Sequence, residues 1–169
     1  DSGPLLPFTT YSVSETVPTG WDQVSATCDD GSKPNSIALD PGETVTCTFT
    51  NKQRGKIIVT KITKPTGATT SFTFNTTGSD YSGFSLTGGQ SNDSGFLKAG
   101  TYTVMELVPL GWVLTGIGGS SDPNTPYNCT VTGTTGTSKG VGDLNTQTIN
   151  ITLKPGDTVN CIFENTGQG

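Results

Sequence analysis

A chain of 169 residues with a formal net charge of −5, only 14% charged side chains and no histidine excludes several function classes at once. No basic stripe exists to neutralise nucleic-acid phosphates, no apolar run is long enough to span a bilayer, and the commonest general base and metal ligand is missing. Histidine-dependent triads and histidine-rich zinc sites are thereby ruled out, and neither a cofactor nor a metal, a nucleic acid or membrane insertion is expected.

Only 30% of the residues are hydrophobic, while 23 glycines, 10 prolines and abundant Ser, Thr and Asn supply strand and turn chemistry. Taken in chain order, residues 10–21 (TYSVSETVPTGW) come first, with Tyr11, Val13, Glu15 and Val17 alternating with polar neighbours as a half-buried strand does. Cys28 follows, and then residues 39–51 (LDPGETVTCTFTN), in which Pro41-Gly42 marks a turn. Strand candidates at 56–61, 71–75 and 83–87 come next. Residues 101–112 (TYTVMELVPLGW) then repeat the first block, and residues 153–165 (LKPGDTVNCIFEN) repeat the second, with Pro155-Gly156 at the turn. Two matched blocks in one order make an internal repeat.

The copies are unequal, because only the second is preceded by the strand candidates of 55–92. Asp1-Ser2-Gly3 resembles Asp93-Ser94-Gly95, and residues 165–169 resemble residues 51–55. The chain reads as an all-β protein of tandem Ig-like sandwiches: residues 1–54 as the C-terminal half of a repeat, residues 55–169 as a complete one. The half repeat is too short to bury a secure core alone.

The cysteines follow the repeat, which pairs Cys28 with Cys47 and Cys129 with Cys161. With no C-x-x-C pair, two disulfides in an oxidising, extracellular setting are expected. No signal peptide is apparent, and a chain beginning at Asp1 is compatible with its removal.

Strand side chains alternate faces. Ile57, Val59 and Lys61 share one face. Tyr102, Val104, Glu106 and Val108 share another, as do Val159, Cys161, Phe163 and Asn165. Each strand thus directs one polar residue inward, and three such residues are expected to meet, since a buried charge is costly unless paired. A hydrogen-bonded cluster, or side chains reaching from strand ends to water, is the plainer alternative.

The segments Ile57-Ile58-Val59-Thr60-Lys61, 101–112 and Phe163-Glu164-Asn165 together resemble the collagen-adhesin B-type repeat of bacterial surface proteins and pilins, a prealbumin-like sandwich. The resemblance covers nearly the whole chain. It implies an intramolecular isopeptide bond from Lys61 to Asn165, with Glu106 assisting. The cysteines and Trp112 depart from the common pattern of that family. The first copy holds the corresponding Glu15 and Asn51 and no lysine strand. A longer tandem array, a nicked repeat, or a strand donated by a neighbouring copy or subunit would each complete it.

A cell-surface stalk, adhesin or pilus-like filament module is therefore expected, and a carbohydrate- or host-protein-binding sandwich is the alternative. A surface glycan or host ligand would use residues 113–150, whose one aromatic after Val113 is Tyr127. Asn75, Asn92, Asn128 and Asn150 begin N-x-S/T sequons. Residues 28–32 (CDDGS) read as a polar turn sooner than a calcium loop. Trp21 and Trp112, repeated at a strand end, read as packing residues. No enzymatic activity is expected.

Overall fold

The computed structural model describes residues 1–169 and contains fourteen strands and no helix. The chain divides into two compact units, Asp1–Gln53 and Arg54–Gly169.

The first unit holds β1 (Thr10–Tyr11), β2 (Trp21–Cys28), β3 (Ile37–Ala38) and β4 (Cys47–Gln53). They form two separate antiparallel pairs, β1 with β3 and β2 with β4. The second unit holds β5 (Lys56–Lys64), β6 (Phe72–Thr77), β7 (Phe84–Leu86), β8 (Ser91–Asp93), β9 (Gly100–Leu107), β10 (Trp112–Gly118), β11 (Thr130–Gly133), β12 (Lys139–Asp143), β13 (Thr148–Leu153) and β14 (Asp157–Gly167). One sheet has the order β10-β14-β5-β8, with β11 also on β14, and the other has β12-β13-β9-β6-β7. The architecture is a β-sandwich of two five-stranded sheets.

Two sheets, each with one apolar face, must bury those faces against each other. Alternate residues along β5 and β14 are buried as period two requires. Ile57, Val59, Phe74, Val104, Val159 and Phe163 have no solvent exposure. Each such side chain contributes roughly 1.5–3 kcal/mol relative to exposure. Phe74 bridges the layers, its ring 5.1 Å from that of Phe163 and 4.9 Å from that of Phe84. β5 and β14 pair in parallel and in register, Lys61 opposite Phe163. Parallel pairing of the first and last strands needs a long connection, and the strands between them, the whole opposite sheet included, supply it.

The repeat is visible in the turns. Gly42 and Gly156 take φ of 78° and 72° after their prolines, and the turns close by Glu43 N–H to Asp40 O and Asp157 N–H to Lys154 O. Proline presets the first central position, and glycine takes the second without a Cβ penalty. It is visible in register as well. β2 runs against β4 with Trp21 opposite Gln53 and a bulge between Gln23 and Ser25. β10 runs against β14 with Trp112 opposite Gly167 and a bulge between Leu114 and Gly116.

One expectation needs correction. The alternation of residues 10–17 predicts a strand, yet only Thr10–Tyr11 form one, whereas the equivalent β9 is continuous over Gly100–Leu107. β9 is paired on both edges, by β13 and β6. The first unit has no counterpart of β6, so the pattern lacks the partner that would extend it. Within residues 113–150 the chain forms two further strands, β11 and β12, between β10 and β13.

Candidate functional site

Lys61, Glu106 and Asn165 have no solvent exposure and meet inside the second unit. Lys61 on β5 and Asn165 on β14 come from neighbouring parallel strands, and Glu106 comes from β9 in the opposite sheet. The Lys61 Nζ donates to Asn165 Oδ1 at 2.8 Å and to the carbonyls of Phe163 and Ile62 at 3.0 and 2.9 Å. Asn165 Nδ2 donates to Glu106 Oε1 at 2.6 Å. Glu106 Oε2 lies 3.9 Å from Nζ and accepts no hydrogen bond. The Phe72 ring covers the amine from the side, 4.3 Å from Nζ, and is itself held edge-on by Trp112 at 5.2 Å.

The electrostatics follow from this enclosure. Burial lowers the Lys61 ammonium to about 8, although the carboxylates of Glu106 and Glu164 pull it upward. Burial raises Glu106, against the pull of Lys61 and of the Asn165 amide. Both shifts favour the uncharged pair, a free amine beside a protonated carboxyl. An amine, a carboxamide and a proton-shuttling acid in contact can carry out acyl transfer.

The first unit assembles the corresponding residues without a lysine. Asn51 Nδ2 donates to Glu15 Oε1 at 2.5 Å. Asn51 Oδ1 and Glu15 Oε2 are shielded from solvent and have no hydrogen-bond partner.

Cys28 is bonded to Cys47, and Cys129 to Cys161. Asp30 serves a local turn, accepting from the Ser32 amide, and Asp29 accepts from the Thr46 amide 17 residues on. Asn75 and Asn150 are exposed, whereas Asn92 and Asn128 are partly buried. Trp112 packs on Phe72, but Trp21, at the matching place, is 39% exposed, and the first unit has no β6 to supply a matching phenylalanine.

Two important residues were not singled out from sequence. Phe72 stands over the lysine, and the period-two spacing of Phe72 and Phe74 was the available signal. Asp157 is fully buried. It accepts from the amides of Thr135, Gly136, Thr137 and Ser138 and from the Thr135 and Ser138 hydroxyls. Burial alone would raise its pKa, but these donors outweigh it and hold the carboxyl well below the usual range. Nothing local announces this role, because its donors lie about twenty residues upstream.

Residues 4–53 match a family described as a prealbumin-like fold domain. The matched residues contain both blocks that recur in the second unit. No curated protein matches the sequence significantly. Among solved structures, the chain is similar to a bacterial adhesin from Mobiluncus mulieris that contains intramolecular disulfide, isopeptide and ester bond cross-links. The identity is 14%, the TM-score is 0.43, and 85% of this chain and 55% of the adhesin are covered, so the chain spans little more than half of its length. It is also similar to a major pilin protein of Streptococcus pyogenes, at 14% identity and a TM-score of 0.41, covering 97% of this chain and 69% of the pilin. A variant of a Streptococcus pyogenes major pilin aligns at 10% identity and a TM-score of 0.29, covering 99% of this chain and 74% of that one.

Proposed function

We propose that this chain is an extracellular structural module of a cell-surface stalk, adhesin or pilus-like filament, and that its second unit locks itself by an isopeptide bond between Lys61 and Asn165. The observation that carries the reading is the enclosed contact of Lys61, Asn165 and Glu106 across two sheets. The neutral Nζ attacks Cγ of Asn165, and Glu106 moves the proton from the attacking amine to the departing amide nitrogen. The Cγ–Nδ2 bond breaks, ammonia leaves, and an Nζ–Cγ amide remains. Fixed proximity supplies the acceleration that a diffusing amine would lack. The reaction happens once and turns over no substrate, so the chain is not an enzyme.

The position of the bond suits a load-bearing part. β5 opens the unit and β14 closes it, so tension applied at the two ends would pass from β5 through the link into β14. Residues 62–164 would carry none of it. The paired cysteines and the weakly charged, Thr- and Ser-rich surface suit an oxidising exterior.

Single-molecule pulling from the two ends of the second unit tests the reading. Extension limited to the residues outside 62–164 is expected. Release of the full contour length of residues 54–169 would contradict it.

A further inference from the structure

The second unit contains a segment with no counterpart in the first. Trp21 and Cys28 lie on one strand, β2, whereas Trp112 lies on β10 and Cys129 follows only after the loop of residues 119–128. That loop carries Tyr127, which is 47% exposed. Its backbone is held from both sides. Gly119 N–H donates to Pro126 O at 3.3 Å, Gly142 N–H to Tyr127 O at 2.8 Å, and Cys129 N–H to Gly140 O at 2.8 Å. The Cys129–Cys161 disulfide anchors the chain just beyond. Gly118 permits the close approach, because a Cβ there would collide with the Tyr127 carbonyl. An exposed aromatic on so fixed a backbone loses little further freedom when it binds.

Tyr127 lines a concavity of about 310 Å³ whose other walls are Gly142, Asp143, Leu144 and Asn145, at the turn between β12 and β13. Asp143 Oδ1 accepts from the Asn145 amide at 2.8 Å, which orients the carboxylate and leaves Oδ2 for a ligand. Asn145 is exposed, and its carboxamide can both donate and accept. The concavity thus joins an aromatic ring and a leucine to a fixed anionic acceptor and an amide. A pyranose ring has matching chemistry. Its C–H face packs on aromatic and apolar surface, and its hydroxyls donate to a carboxylate and pair with an amide. The Asp143 carboxylate, on a chain of net charge −5, disfavours an acidic sugar. We infer that this concavity is a binding site for a neutral pyranose of a glycan chain. The inference goes beyond the structural role proposed above and does not use the Lys61–Asn165 bond, so either can fail without the other.

Titration of the whole nitrogen-15-labelled chain, followed through its amide NMR shifts, tests the inference. The ligands are methyl β-galactopyranoside, methyl α-mannopyranoside, N-acetylglucosamine and, as the acidic comparison, N-acetylneuraminic acid. A single sugar should bind with a dissociation constant of about 1 mM, so each is raised to about 50 mM. Saturable shifts at Tyr127 and residues 142–145 are expected with at least one neutral sugar, and none with N-acetylneuraminic acid. Tyr127→Ala should weaken binding about tenfold or more, whereas Tyr127→Phe should retain most of it. Asp143→Asn should also weaken binding about tenfold, because a charged acceptor becomes a neutral one. Thermal midpoints equal to that of the parent chain show that these variants are folded. No saturable shift with any of the three neutral sugars would overturn the inference. So would shifts confined to another surface, binding that survives Tyr127→Ala unchanged, or equal binding of N-acetylneuraminic acid.

Discussion

Lys61 Nζ lies 2.8 Å from Asn165 Oδ1, and neither side chain has any exposure to solvent. The two residues are 104 positions apart in sequence, yet parallel pairing of β5 with β14 places them side by side. The relationship is energetically awkward unless it is chemically resolved. A buried ammonium with one distant carboxylate is poorly compensated, whereas an amide link would leave no charge to bury.

Glu106 is needed for the reaction because the proton must leave the amine and reach the amide nitrogen within a site closed to water. Glu106→Gln keeps the shape and the hydrogen bond to Asn165 while removing the transferable proton. General acid–base assistance accounts for about 100-fold or more in rate. Refolded Glu106→Gln protein, followed by mass, should therefore lose ammonia at least about 100-fold more slowly than the parent chain.

The same variant retains a free, buried lysine and exposes its titration. The folded lysine sits at about 8, below its ordinary 10.5, because burial disfavours its charge. Removing the Glu106 carboxylate takes away a group that pulls it upward, so the folded value stays lowered. Between the two values the unfolded chain binds the extra proton. Stability should then rise with pH across this window, by up to about 1.4 kcal/mol per unit, and level off above it. Urea unfolding of Glu106→Gln between pH 7 and pH 10.5 measures this slope.

Asp157 predicts a dependence of the same sign in the acid range, stability rising with pH. Its carboxyl is held below the ordinary 3.8 in the folded chain by the donors around it. That contribution is fully present above 3.8 and is lost as pH falls toward the folded value, where the native carboxylate must be protonated. Asp157→Asn should cost roughly 2–3 kcal/mol at neutral pH, in keeping with the loss of hydrogen bonds to a charged acceptor. The variant should also show a flatter stability profile below pH 4, as read by urea midpoints.

The Cys129–Cys161 bridge spans 32 residues. Replacing both cysteines by serine should lower the stability of the second unit by about 3–4 kcal/mol, because the unfolded chain regains the entropy of that loop. Thermal unfolding of the double variant should remain cooperative, since the hydrophobic core between the sheets is untouched.

Much of this architecture is legible in the sequence. Period-two spacing in Ile57, Val59 and Lys61 and in Val159, Cys161, Phe163 and Asn165 placed a polar residue at the end of an apolar face, because strand geometry leaves no other choice. The repeated Pro-Gly pairs located turns whose glycines do adopt positive φ. Local pattern was insufficient where a neighbour decides the outcome. Residues 10–17 carry the same alternation as β9 but lack a β6 to pair with, so most of the strand is absent. Asp157 has no motif, since its ligands are backbone amides of a loop about twenty residues upstream. β8, β11 and β12 are short or glycine-rich, and their pairing is set by the longer strands beside them.

The intact mass of the denatured, disulfide-reduced chain tests the central claim most directly, with peptide mapping to locate any link. The account predicts a mass lower than that of the reduced sequence by one ammonia, with the peptides containing Lys61 and Asn165 recovered as one branched species. A full-length mass with both peptides recovered separately would contradict it.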